Sequence, residues 1–328
     1  MSLIHKTNRK LPCCKTFAQM ETPHPSPFSL LSWSTKAGVR KDPAFFPGSF
    51  DYPNTLTMEL DIMQNPYNNR PLHRATVNGR VGLADDTGMF FPFRNGYPNF
   101  LAGQQVTGLN RQVQRFYDSM GRLAGWLEQL RAFLFPFDRR RTEWLRNITP
   151  KPGDRVLEVA VGAGCNIRRL PANVRYYGLD ISGGMLDRCV RNVRRWGLNL
   201  QLSQANAEYL PYRDNTFDSV FHIGGINFFN DRGRAICEMI RVAKPGARVT
   251  IIDATAKEIK KQVQRMPFVR RCVCDEAVDR SRLYAPAQFV PEEIRDVEVK
   301  LIDNGSMYRL SFVKPINESH KMFLLPNR

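Results

Sequence analysis

The sequence contains little that would staple or anchor a fold. Its seven cysteines include the adjacent Cys13 and Cys14 and the near neighbours Cys272 and Cys274, with Cys165, Cys189 and Cys237 further apart, and no Cys-x-x-Cys pair marks a structural zinc site. Their odd number argues against a disulfide framework, so an intracellular reducing compartment is expected. No uninterrupted apolar run is long enough to span a bilayer. Acidic residues are scarce too: 31 Asp and Glu against 48 Lys and Arg leave a net charge of +17. That balance favours polyanions such as RNA, a ribonucleoprotein or an anionic membrane surface, and it speaks to association and not to fold.

In the first 41 residues the shortage is sharper, with Glu21 the one acidic side chain and prolines at 12, 23, 25 and 27 among many Ser and Thr. Such a composition argues against a packed core. Residues 1–50 therefore read as a disordered segment or as a mitochondrial or plastid targeting segment, although arginine is sparse and helical amphipathicity is poor; without targeting, the protein is cytoplasmic. With 42% hydrophobic residues the chain can hold one domain of ordinary size and an appendage.

What is present is most specific between residues 155 and 180. Arg155 to Val159 reads as a strand running into a turn with glycines at 162 and 164, and Tyr176 to Asp180 as the next strand. The glycines let the backbone turn sharply and approach a ligand. Asp180, about 20 residues on, ends the second strand, where a carboxylate can accept hydrogen bonds from both ribose hydroxyls of an adenosine. NAD and S-adenosylmethionine both meet these demands. Two details separate them: Cys165-Asn166-Ile167-Arg168 supplies no third glycine for a pyrophosphate, and Glu158 before the turn repels phosphate but suits a ligand carrying sulfonium and ammonium groups. S-adenosylmethionine is such a ligand.

Further elements follow in the order of a doubly wound sheet. Leu200 to Ala205 reads as a third strand, with Asn206-Ala207-Glu208 at its carboxyl end, where a polar side chain can bond the adenine amino group. Phe217 to Gly225 reads as a fourth strand, Ala235 to Ala243 as a helix, Lys244-Pro245-Gly246 as a turn and Arg248 to Asp253 as a buried strand.

Taken together, Val156-Leu157-Glu158, Gly162-Ala163-Gly164, Gly178-Leu179-Asp180-Ile181-Ser182 with Met185-Leu186, Ala207-Glu208 with Leu210-Pro211, Phe217-Asp218 and Arg241-Val242-Ala243-Lys244-Pro245-Gly246 resemble the class I S-adenosylmethionine-dependent methyltransferases. The chain is most similar to their methyltransferase type 11 group, which includes the ubiquinone and menaquinone C-methyltransferases, over roughly residues 110 to 315. Ala160 stands where many members have Gly, and Asn206 where many have Asp. The resemblance implies an α/β fold: a Rossmann-like seven-stranded sheet with helices on both faces over residues 103–328, closed by an antiparallel hairpin from Val297 to Ile302 and Tyr308 to Val313. It also implies cofactor contacts from Glu158, Ala160, Gly162, Gly164, Asp180, Ile181, Asn206, Ala207, Glu208, His222 and Gly224.

Residues 51–102 read as a small β module. Runs around Thr57 to Met63, Arg74 to Leu83 and Met89 to Phe93 are punctuated by Asn78-Gly79 and Thr87-Gly88, which are hairpin-turn signals. Its end, Phe91-Pro92-Phe93-Arg94-Asn95-Gly96-Tyr97-Pro98, resembles the close of a small zinc-ribbon-like domain that accompanies or activates some methyltransferases, but here without the metal cysteines; no metal is expected. Leu109 to Phe135 carries apolar residues near helical spacing. In the resembled family this stretch caps the cofactor, which makes Phe116, Tyr117 and Trp126 candidates for an acceptor pocket, against the plain alternative of core aromatics.

The reaction these residues imply is methyl transfer to a small-molecule or lipid-like acceptor, with RNA or ribonucleoprotein methylation, or a catalytically silent assembly factor, as the alternatives. His222, at the fourth strand's end, is the candidate general base if the acceptor must lose a proton, with a structural histidine as the competing reading.

Overall fold

The computed structural model describes residues 58–104, 106–119, 137–265 and 286–316, with the side chains of 137–140 and 262–265 left undescribed. Among the described residues, eleven strands form two sheets. The larger holds β5 (Arg155–Val159), β6 (Arg175–Asp180), β7 (Gln201–Gln204), β8 (Phe217–Ile223), β9 (Ala243–Ala254), β10 (Glu298–Ile302) and β11 (Met307–Val313), in the order β10-β11-β9-β8-β5-β6-β7. Strands β5 to β9 are parallel; β11 runs antiparallel between β9 and β10. The chain runs outward from β5 through β6 to β7 and then returns to β8 on the other side of β5, so the switch point lies at the carboxyl ends of β5 and β8.

The period-2 alternation of the strands sorts their residues onto two faces. Leu157, Val159, Leu179, Val220 and Ile251 share a core with Ile236 and Met239 of helix α4 (Arg232–Val242), whereas Val156, Tyr176 and Phe221 pack with Leu186, Val190 and Val193 of helix α3 (Gly183–Trp196). Each helix begins on a side-chain cap: Ser182 Oγ accepts from Met185 N and Asp231 from Arg234 N. Helix α1 covers residues 108–119, and the described residues also hold α2 (Phe137–Leu145) and α5 (Ala256–Arg265).

Strand β9 is longer than the sequence suggests. The turn at Lys244-Pro245-Gly246 is absorbed into it, because Gly246 N bonds Lys314 O at 2.8 Å and Lys314 N bonds Ala247 O at 2.9 Å, while a register irregularity of β8 falls between Phe217 and Ser219.

The smaller sheet, in order, is β1 (His73–Val77), β2 (Arg80–Ala84), β3 (Phe90–Arg94) and β4 (Tyr97–Pro98), antiparallel throughout. The run expected as a strand up to Met63 is instead a 3-10 turn over Leu60–Ile62. Ile62 and Met63 are both buried, which a one-sided strand forbids for consecutive residues, and the backbone there bonds the 211–213 loop: Gln64 N to Pro211 O and Arg213 N to Ile62 O. Thr57 lies outside the described residues.

The module is not a separate body. Ile62, Leu83, Phe91 and Phe100 belong to the same core cluster as β5, β6 and α4. Asn99 bridges Gln204 in parallel and Phe100 N donates to Gln204 O at 2.8 Å, so the outer edge of β7 is covered. Glu59 takes both Arg155, at 2.7 Å, and Arg175, at 3.3 Å, and Asp187 on α3 takes Arg94 at 2.6 Å and the Tyr97 hydroxyl at 2.7 Å.

Candidate functional site

Beside the switch point, at the carboxyl ends of β5 to β7, lies an open cleft with about 340 Å³ of empty space, open solvent included. Ala160, Leu179, Asp180 and Ile181 form one wall and Ala205, Asn206 and Ala207 another. Asn110 and Val113 of α1, with Phe228 and Phe229, close it above.

The backbone leaving β5 is unusual. Ala160, Gly162 and Gly164 all have positive φ, at 59°, 54° and 76°. An alanine in this left-handed region costs roughly 1–2 kcal/mol, so the loop geometry is imposed by its surroundings. Gly164 is required on a second count: a Cβ there would sit 2.7 Å from Cys189 Sγ.

Asp180 fixes this loop. Its Oδ2 accepts from Gly162 N at 2.8 Å and its Oδ1 from Ser182 N at 2.9 Å. A carboxylate has about four lone-pair sites, and with the Ser182, Gly162 and Ile181 amides beside it Asp180 keeps capacity for a ligand in the cleft it lines. Burial, opposed by these amide bonds, pushes its pKa up to about 6.

Glu158 is 2% exposed, and its Oε1 accepts from Asn166 Nδ2 at 2.6 Å while Oε2 has no partner. Burial is the main cause that raises its pKa to about 8, with Asn166 and Arg141 pulling the other way. An orphaned, buried carboxylate oxygen two residues before the cleft wall is costly alone and suits a cationic ligand.

Asn206 lines the cleft, and its Oδ1 accepts from Glu208 N at 3.1 Å. Glu208 is committed elsewhere: its Oε1 takes Asn110 Nδ2 at 2.8 Å and Asp231 N at 3.1 Å, tying α1 to the start of α4. Ile181 offers its carbonyl to Gln114 of α1 at 3.0 Å and to Gln204 at 3.2 Å. Gly224 has φ 80° and does not line the cleft.

His222 is fully buried, its Nδ1 2.8 Å from Val159 O. A carbonyl only accepts, so Nδ1 carries the proton and Nε2, which has no partner, bears a lone pair. Burial lowers the histidine pKa against the pull of buried Asp253. The ring does not line the cleft; Phe229, which does, lies edge-on to it at 5.3 Å between centroids.

Phe116 and Tyr117 are half-buried on α1, stacked edge to face at 5.2 Å, and neither lines the cleft. Trp126 lies outside the described residues. The sequence reading passed over Asn110, Phe228 and Phe229 of the cleft, and also Asp118, whose Oδ1 takes Ser182 Oγ at 2.6 Å and Gly184 N at 2.9 Å. That contact seats α1 on the α3 amino terminus, where a Cβ on Gly184 would meet Asp118 O at 2.8 Å. The aromatic pair after Gly224-Gly225 was visible in sequence; the α1 polar contacts, from far along the chain, left no local signal. Among the described residues, no group of three or more His, Cys, Asp and Glu side chains is placed to hold a metal, and no helix is long and apolar enough to cross a membrane.

Residues 157–251 match a family described as a methyltransferase domain. An uncharacterized protein of Mycobacterium tuberculosis is 38% identical over 109 residues, 32% of this chain and 39% of that protein. The ubiquinone/menaquinone biosynthesis C-methyltransferase of Geobacter sulfurreducens is 30% identical over 182 residues, 51% of this chain and 66% of that one. The demethylmenaquinone methyltransferase of Corynebacterium kroppenstedtii is 30% identical over 152 residues, 44% and 60% of the two chains. The chain thus spans between 39% and 66% of the length of these relatives.

Proposed function

From residues 157–251, which match the methyltransferase-domain family, we propose that this chain transfers a methyl group from S-adenosylmethionine to a small-molecule or lipid-like acceptor. The observation that carries the reading is the pair of buried carboxylates at the ends of adjacent strands, Glu158 with an unpaired oxygen and Asp180 on the cleft wall. In this reading residues 103–328 carry the transfer site and residues 51–102 buttress it.

The residues present fit the cofactor. Asp180 keeps lone pairs for the ribose hydroxyls while its bonds to Gly162 N and Ser182 N hold it still. Asn206, whose Oδ1 is held by Glu208 N, offers the second lone pair of that oxygen and its amide NH₂ to the adenine edge. Leu179, Ala205 and Ala207 supply apolar contact for the base. The bound cofactor brings a methyl group activated by a positively charged sulfur, so the chain has mainly to hold an acceptor in line and exclude water. His222 is the base in this reading if the acceptor must lose a proton: its Nε2 has no partner, but the ring is fully buried behind Phe229, which would have to move aside for an acceptor to reach it, and otherwise it is a structural histidine bonded to Val159 O. Two of the relatives bear names that place them in quinone biosynthesis, which supports an apolar acceptor.

Calorimetry with S-adenosylmethionine and S-adenosylhomocysteine tests the site. Charge-assisted hydrogen bonds are each worth about 1.5 to 3 kcal/mol, so Asp180→Ala is expected to weaken binding by about tenfold or more. An unchanged Kd would remove Asp180 from the site. Tritium transfer from the cofactor to fractions of a cell extract then identifies the acceptor.

A further inference from the structure

Helix α3 carries arginines at 188, 191, 194 and 195 and a single acidic residue, Asp187. The small module consumes that carboxylate: Arg94 bonds it at 2.6 Å, and Asn95 and the Tyr97 hydroxyl each at 2.7 Å. Arg188 is buried, with Arg191 as a like charge beside it. Arg191 and Arg195 are exposed one turn apart on the same side of the helix, and neither has a carboxylate partner among the described residues. Like charges at this spacing destabilise a helix. The helix dipole offsets that in the last turn, at Arg194 and Arg195, and not at Arg191. Folding alone does not account for the face.

One flank of the face is aromatic. Trp196 is half-buried, and Arg168 of the 3-10 turn Ile167–Arg169 places its guanidinium carbon 4.7 Å from the centre of the Trp196 ring. Arg168 is itself exposed, so the stack has an outer side in solvent. Partners of a basic face differ in what else they ask of it. A bilayer takes up apolar side chains, and the exposed large hydrophobics among the described residues, Val81, Val299, Leu301, Val313 and Ile316, all lie on other elements. An acidic protein surface or a nucleic-acid duplex presents charge and leaves a flat stack unused. A single strand presents phosphates and unpaired bases together, and these are what a cationic track beside a stacking platform receives.

We propose that this face of α3 docks single-stranded nucleic acid, Arg191 and Arg195 meeting phosphates and the Arg168–Trp196 pair stacking a base. Stacking reads no base edge, so binding tolerates sequence. The surface is remote from the cleft: α3 starts at the carboxyl end of β6, beside Asp180, and its last turn delivers the chain to the amino end of β7, at the opposite edge of the sheet. The proposal is therefore independent of the cofactor reading and is tested without cofactor.

Fluorescence anisotropy of the full chain with a labelled oligouridylate of about 12 nucleotides is the test, against a duplex RNA with the same number of phosphates and vesicles containing phosphatidylserine. The single strand is expected to bind about threefold or more tighter than the duplex. Trp196→Leu, and Arg168→Lys, which keeps the charge and loses the planar guanidinium, are each expected to weaken the single strand by about fivefold or more and to leave its salt dependence unchanged. Arg191→Ala combined with Arg195→Ala lowers the log–log salt slope by about 1 to 2. A duplex bound as tightly as the single strand, with neither Trp196→Leu nor Arg168→Lys changing affinity, would overturn the stacking contact and leave charge alone. Binding to the vesicles and not to the oligouridylate would replace nucleic acid by a membrane, and binding to neither at low salt would make the arginines a solvated surface; both results overturn the proposal. If Trp196→Leu melts below the wild type, Arg168→Lys on its exposed turn carries the comparison.

Discussion

Glu158 shows how one buried side chain couples binding, stability and pH. In the unfolded chain its carboxyl ionises near the ordinary value of 4.5, whereas burial holds the folded value near 8. Between those values the folded protein keeps a proton that the unfolded chain has lost, so this residue's contribution is fully present below pH 4.5 and is lost as pH rises through 8. Glu158→Gln removes that loss, and the ligand-free variant is expected to melt above the wild type beyond pH 8, by about 2 °C or more. Binding runs the opposite way. An ammonium ligand requires the ionised carboxylate, so affinity for S-adenosylhomocysteine should climb by up to about tenfold per pH unit below 8 and then level off, with proton release. Calorimetry in two buffers of different ionisation enthalpy checks both points; a pH-independent affinity with no proton release would mean that Glu158 does not meet the ammonium.

At the scale of elements, the strands were the legible part. β5, β6, β8 and β9 carry largely buried stretches such as Val156-Leu157, Tyr176-Tyr177, Val220-Phe221 and Val249 to Ile252, bounded by polar or glycine residues, and the hairpins of the small module announced themselves through Asn78-Gly79 and Thr87-Gly88. Glu158 and Asp180 could be found because a strand end and a glycine turn fix where such a carboxylate must lie. The Arg141–Asn166 bridge and the Asp118 seat of α1 could not, because each joins side chains 25 or 64 residues apart whose proximity only the folded chain creates. The same holds for the way the small module is shared with the domain. Phe100 is fully buried, its ring 4.9 Å from Phe91, and its amide covers the β7 edge. Phe100→Ala is therefore expected to cost about 3 to 5 kcal/mol and to lower one common unfolding transition. Denaturation that splits into two steps, with the upper one unmoved, would show that the module and the sheet do not share their core.

At the scale of the whole molecule, the excess of 17 positive charges sits partly where folding needs it. Arg188 on α3 is 7% exposed, while Arg191, Arg194 and Arg195 are exposed. Arg194 and Arg195 occupy the last turn of α3, where cations favour the helix carboxyl end. RNA binding through this surface should be electrostatic and non-specific: affinity for a generic 20-nucleotide RNA falls steeply with salt, and replacing Arg191, Arg194 and Arg195 by Ala lowers the log–log slope by about 1 to 2. Whether such binding concerns the methyl-transfer site follows from linkage. Two ligands that meet at one cleft change each other's affinity by the same factor. With a small or apolar acceptor, saturating S-adenosylhomocysteine leaves RNA affinity unchanged and RNA leaves cofactor affinity unchanged. A matched shift of both, surviving the triple arginine replacement, would put RNA at the cleft and overturn the small-molecule acceptor in favour of RNA methylation.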